Sequence, residues 1–190
     1  DTRRIADAAT RVQTALDNVA TNVMVADKDH NIIYMNKAIA EMFRIAEADI
    51  RKDLPQFEAS KLLGCNIDVF HKQPSHQRQM LDRLTSPHRA TVLIGGRTFT
   101  LTVAPVVNEH GARLGTAVEW LDRTSEVAIE NEIGGIVQAA ARGDFTQRIE
   151  LSGKSGFFAQ LGVGMNELLQ TTQSGLEDLA RMLGAIAGGD

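Results

Sequence analysis

The hydrophobic period of this chain changes near residue 124, and that change constrains the fold more than any other feature. Before it, RTFTLTVAPV (97–106) alternates Phe99, Leu101 and Val103 with Thr98, Thr100 and Thr102, the two-residue period of a half-buried strand. After it, Ile129, Ile133, Ile136 and Ala140 step by 4, 3 and 4. Phe158, Leu161, Met165, Leu168, Thr172, Gly175, Leu179, Met182 and Ile186 then step by 3 and 4 without a slip. That is the period of helices packing on other helices. A sheet-bearing region followed by a purely helical one is expected.

The elements before residue 124 can be placed in order. Residues 1–19 carry Ile5, Ala9, Val12, Leu16 and Val19 at steps of 4, 3, 4 and 3, a linker helix whose narrow stripe needs a partner helix. NVMVAD (22–27), KDHN and IIYMN (32–36) read as strand, turn and strand, with Val23 and Val25 on one face. KAIAEMFRIAEADI (37–50) predicts a helix with Ile39, Met42, Phe43 and Ile45 on its apolar side. PSHQRQMLDRL (74–84) opens on Pro and Ser, which start helices, and turns Met80, Leu81 and Leu84 inward. HRATVLI (88–94), the turn Gly95-Gly96 and the alternating strand follow; after the turn NEHG comes RLGTAVEWLD (113–122), with Leu114, Thr116, Val118 and Trp120 on one face. The order predicts an α+β domain over 20–124, an antiparallel sheet with its helices gathered on one face.

Beyond 124, the first helix meets Arg142-Gly143-Asp144, where Asp144 caps or closes the connector FTQRIELSGKSG. Leu169, Leu176 and Leu183 widen the second stripe, as a four-helix bundle requires more than a two-stranded coil. IVQAAARGD (136–144) echoes in MLGAIAGGD (182–190), 46 residues on, which suggests units stacked in series with the second cut at Asp190.

Composition removes several function classes. The net charge of −4, with its basic residues dispersed, gives no footprint for nucleic acid. A single cysteine, Cys65, excludes an internal disulfide and a cysteine-rich zinc module and fits a reducing compartment. No apolar run approaches the roughly 20 residues of a membrane span, so the chain reads as a cytoplasmic fragment of something longer, itself soluble or membrane-anchored. No nucleophile–base pair, phosphate loop or carboxylate dyad stands at usable spacing, so an enzyme is not expected.

The chemistry-bearing stretch is DVFHKQPSHQRQML (68–81). His71 lies in irregular backbone ahead of Pro74, where its ring is free to be aimed; on the residues alone it also fits a capping histidine. His76 falls in the first turn of its helix and reads as structural. A zinc pair of His71 and His76 lacks a completing carboxylate or thiol. Val118 and Trp120, with Phe99, Leu101 and Val103, make an apolar wall bearing one indole N–H. A bound ligand or a backbone carbonyl would satisfy that donor, which costs roughly 1–3 kcal/mol if buried unpaired.

The strand–helix–strand order ending in WLDRT (120–124) resembles a PAS sensor domain, and Asp122-x-Thr124 is similar to the motif by which such domains hand a signal to the next helix. GDFTQRI, the glycine-bearing connector and the heptad helix with Asn166 resemble a HAMP relay unit. GCNIDVFHKQPSHQRQML (64–81) is similar to the haem-bearing PAS domains of soluble aerotaxis transducers, with Gln73 a departure at a position that is not the ligand. The resemblance implies His71, directly after Phe70, as axial ligand of a b-type haem iron. It also implies Trp120 as donor to bound O2 and Leu101 over the same distal side, with Phe70, Val103 and Val118 completing the slot. Cys65 is an alternative thiolate ligand or a small core residue. His76 would lie near a propionate; Lys72, Arg78 and Arg83 face propionates or only solvent.

The same resemblance implies a HAMP-like unit over 125–180, the start of a second over 181–190, and a homodimer whose parallel four-helix bundle takes two helices from each chain. The implied function is sensing of O2 or another diatomic gas in a bacterial chemotaxis transducer, with a downstream signalling domain and kinase complex. The alternative is a PAS–HAMP module without haem, binding a small organic ligand or serving only dimerisation and relay.

Overall fold

A computed structural model describes residues 2–189. Asp1, at the start of the expected linker helix, and Asp190, at the cut end of the repeat, lie outside the described residues. The chain divides into two units, Asp1–Thr124 and Ser125–Asp190.

The first unit contains α1 (Thr2–Asp17), β1 (Asn22–Asp27), β2 (Ile32–Met35), α2 (Lys37–Asp53), α3 (Pro74–Asp82), β3 (His88–Ile94), β4 (Arg97–Val107) and β5 (Arg113–Asp122), with 3-10 turns at Ala59–Lys61 and Ile67–Phe70. The five strands form one sheet in the order β2-β1-β5-β4-β3, antiparallel at every pairing. Leu101 stands opposite Trp120, and Val103 opposite Val118; Met24 flanks Val118 from the other side. These residues meet Ile39 and Phe43 of α2, Phe57 of the loop after it and Phe70 of the second 3-10 turn in one core. Phe43 anchors it, its ring centroid 5.6 Å from Phe57, 5.4 Å from Phe70 and 5.0 Å from Trp120. Such aromatic pairs add to their area burial when offset or edge-on.

Val23 and Val25 share a face of β1 as expected, while three other expected faces need correction. β1 buries Met24 and Ala26, leaving Val23 and Val25 half-buried on the opposite face; with apolar residues in both phases, period alone did not choose. α2 buries Ile39, Phe43, Ala46 and Ile50, while Ile45 is 57% exposed, about 200° around the helix from Phe43. Leu114 is exposed because the β4–β5 register slips between Val106 and Val107, which lifts it off the face of Thr116, Val118 and Trp120. In α3 only Leu81 is buried; Met80 is exposed.

Two polar devices hold the first unit in register. Asn36 is fully buried. Its Nδ2 donates to the carbonyls of Leu16 (2.9 Å) and Thr21 (2.7 Å), and its Oδ1 accepts from the amides of Val23 and Ile39 (both 3.1 Å). It thus caps α2 while fastening the end of α1 to the start of β1. At the β3–β4 turn, Gly95 and Gly96 have φ of 61° and 84°, the two left-handed positions of a tight hairpin. A Cβ on Gly95 would come within 1.8 Å of the Asp49 carbonyl oxygen.

The second unit holds α4 (Thr124–Ala141), whose first residue closes the first unit, and α5 (Gly156–Gly188). Ile136, Ile149 and Leu169 form its core, with Ile133, Ala140, Phe145 and Met165 packed around them. The connector is stitched at both ends. Asp144 Oδ1 accepts from the amide of Thr146 (3.0 Å), while Asn166 accepts from the Ile149 amide (2.7 Å) and donates to its carbonyl (3.0 Å). Lys154 pairs with Glu132 at 2.7 Å. Leu169, not Leu168, is buried in α5, together with Gly162, and Leu168, Leu179, Met182 and Ile186 are all exposed. α5 runs unbroken past residue 180. Among the described residues no helix is long and apolar enough to cross a membrane.

Candidate functional site

A cavity of about 630 Å³ opens in the first unit, bounded by Phe70, His71, Leu101, Val103, Val118 and Trp120 among others. Its size falls within the range of small-molecule and cofactor pockets. The six residues arrive from three elements: β4 supplies Leu101 and Val103, β5 supplies Val118 and Trp120, and the turn before α3 supplies Phe70 and His71.

Local structure fixes the histidine. Asn66 caps the 3-10 turn by accepting from the Asp68 amide at 3.3 Å, and Phe70 is buried at its end. His71 then leaves the turn in extended backbone, with φ −125° and ψ 133°. Its Nδ1 lies 3.0 Å from the Ile67 carbonyl oxygen. A carbonyl only accepts, so this contact puts the ring proton on Nδ1 and leaves Nε2 as a lone pair. Burial holds the imidazole pKa below its ordinary 6.5, so near pH 7 the ring is neutral, the form that binds metals.

Opposite in chemistry stands Trp120, 3% exposed, its ring 5.0 Å from Phe43, 5.2 Å from Phe70 and 5.4 Å from Phe99. Its buried Nε1–H has no acceptor. Gln77 Oε1, on α3 and also at the cavity, is buried without a donor. Native interiors rarely leave such groups unmet.

The other sequence candidates separate. His76 lines the cavity from an exposed position in α3. Lys72 lines it too and pairs with Asp53 at 3.2 Å. Arg78 is engaged by Asp68, and neither it nor Arg83 is among the lining residues. Cys65 donates to the Lys61 carbonyl at 2.9 Å and stands apart from the cavity wall. Among the described residues no group of three or more His, Cys, Asp or Glu is placed to hold a metal ion.

Asp122 and Thr124 do come together. Asp122 Oδ1 accepts from the Thr124 amide at 3.0 Å and from its hydroxyl, and Thr124 Oγ1 accepts from the Thr98 amide at 3.1 Å. Arg97 binds the other oxygen of Asp122 at 2.7 Å. Sequence reasoning overlooked three residues that hold this frame. Besides Arg97, His30 (φ 67°) reaches Asp82 at 3.0 Å. Arg113 donates to the carbonyls of Leu84 (2.9 Å) and Leu81 (3.1 Å), so it clasps the end of α3. The positive φ of a histidine in a turn has no sequence signature beyond the neighbouring Asp and Asn.

Residues 10–74 match the PAS domain family. Over 180 residues the chain is 56% identical to the methyl-accepting chemotaxis protein McpB of Pseudomonas aeruginosa, covering 95% of this chain and 26% of that protein. The chain therefore spans about a quarter of that relative's length. Among solved structures, the Aer2 receptor of Vibrio cholerae, described as a dual PAS-haem oxygen sensor, is 35% identical, with a TM-score of 0.49 over 54% of this chain and 93% of that one. The PAS domain of Bordetella pertussis BvgS is 17% identical, with a TM-score of 0.44 over 71% of this chain and 99% of that one. The first unit thus carries a PAS domain match over residues 10–74, and the chain is similar to a stretch of a methyl-accepting chemotaxis protein.

Proposed function

We propose that the chain is the haem-based O2-sensing and signal-relay region of a chemotaxis transducer. The observation that carries this reading is the orphaned N–H of Trp120 at an apolar cavity that also holds His71 with Nδ1 engaged and Nε2 open. Haem iron, when bound, supplies the coordination position at which a diatomic gas sits. His71 would hold the metal through Nε2. Phe70, Leu101, Val103 and Val118 exclude water. Trp120, whose N–H is unpartnered, would be the donor available to a bound gas, and the Asp122–Thr124 cap would link a movement of β5 to α4. A bias of about 1–3 kcal/mol between two packings suffices for a useful output.

In this reading residues 125–180 are a HAMP-like unit and 181–190 begin a second. The exposed apolar residues of α5 support a homodimer in which each chain contributes two helices to a parallel four-helix bundle. A downstream signalling domain and kinase complex receive the result. A second reading, a haem-free pocket for a small organic ligand, draws on Gln77: its unmet oxygen wants a donor, which O2 lacks and an organic ligand has.

The test is the visible spectrum after adding haemin, with His71→Ala prepared identically. A sharp Soret band that moves with O2 or CO and disappears or moves in the variant is expected. A spectrum of free haemin from both proteins rejects haem in favour of the organic ligand.

A further inference from the structure

A second set of contacts leads from the cavity to the helix cap without using β5 until its last residue. Lys72, beside His71, pairs with Asp53, and both line the cavity. The other oxygen of Asp53 accepts from the Gly95 amide at 2.6 Å. Gly95 belongs to the β3–β4 hairpin, whose backbone is pressed against Asp49 so tightly that no side chain fits. Two residues on, Arg97 donates to Asp49 and to Asp122, both at 2.7 Å. Asp122 in turn holds the amide of Thr124, the first residue of α4.

We infer that Asp53 is a positioning residue, coupling occupancy of the cavity rim to the Asp122–Thr124 cap through the Gly95 amide and Arg97. The inference deepens the sensing function proposed above and rests on it. The links differ in strength, in the order that a coupling element needs. Lys72 and Asp53 are exposed (69% and 40%), so their pair is weak and easily re-partnered by an occupant at the rim. Arg97 and Asp122 are each 22% exposed, and a partly desolvated, charge-assisted pair holds its geometry. Drawing Lys72 away leaves Asp53 bonded to the hairpin alone. Gly95 has no free space against Asp49 of α2, so a displacement of the hairpin appears at Arg97, whose guanidinium is shared between α2 and β5. Asp122 then shifts relative to Thr124.

Amide hydrogen exchange by NMR on the whole chain tests this, with Soret spectra taken from the same samples with haemin and CO. In the ligand-free protein, Asp53→Asn should speed exchange at Thr124 at least about threefold, near the low end of coupling within one network. Val118 and Trp120, in the middle of β5, should stay unchanged, and Asp53→Glu should restore Thr124. Arg97→Met should have the same effect, and the double variant should add nothing. If Thr124 exchanges alike in Asp53→Asn and the parent, or if Val118 and Trp120 speed up in step, the inference is overturned and Asp53 is merely structural. The haemin samples separate the two ideas. A missing Soret band rejects haem while the ligand-free comparison still decides the coupling. A band that shifts with CO, with equal responses at Gly95 and Thr124 in both proteins, rejects the coupling and leaves haem standing.

Discussion

Trp120 satisfies every demand of a core residue except one. Three aromatic rings surround it, yet its N–H is unmet. Trp120→Phe should therefore change stability by no more than about 1 kcal/mol, because losing ring volume costs about what removing an unpaired buried donor returns. A urea midpoint lowered by an amount equivalent to about 3 kcal/mol would show that the N–H has a partner in solution. If haem is bound, the same variant should release O2 about tenfold faster, the loss of one hydrogen bond. Stopped-flow mixing reads that rate. At this scale the sequence was legible where chemistry and alternation coincide: strand period put Trp120, Val118, Leu101 and Val103 on one wall, and the resemblance of the 64–81 stretch added His71 and Phe70. His30 and Arg113 were illegible, since what they do depends on Asp82, Leu81 and Leu84, which only the folded chain brings near them.

The β3–β4 hairpin makes the sharpest prediction at the level of an element. Gly95 and Gly96 were read as a turn, and both have positive φ, but their surroundings differ. A Cβ on Gly96 meets nothing within 4 Å, whereas one on Gly95 collides with the backbone of Asp49. Gly96→Ala should cost about 1–2 kcal/mol, the strain of a left-handed alanine. Gly95→Ala should cost clearly more, because hairpin or helix must also move. Equal midpoints in urea would contradict the close packing. The contrast was invisible in Gly-Gly, as were the slip that exposes Leu114 and the phase of β1. Each depends on a neighbouring strand or helix, whereas the two-residue alternation of β4 is internal to the strand and was read directly.

For the whole molecule, the contrast lies between a unit with a closed core and one whose apolar residues are only partly covered. Among the described residues, the first unit buries sixteen in one cluster; in the second, Ile136, Ile149 and Leu169 are the buried members of the core while Leu168, Leu179, Met182 and Ile186 are exposed. Under the proposed dimer, the melting of α4 and α5 should depend on protein concentration and that of the sheet should not. Circular dichroism across a hundredfold dilution, beside sedimentation, checks this; a concentration-independent helical melt rejects the dimer. Heptad stripes told that helices need partners but not which turn would be covered within one chain, because Asn166 and the connector choose Leu169 over Leu168. Asn36 carries a consequence at the same scale. It spends both protons and both acceptor sites on the end of α1, the start of β1 and the first turn of α2, so the joint has no slack. Under the proposed sensing function, a movement of α1 relative to the sheet would be felt at β1 and at the first turn of α2 together, because one side chain holds all three.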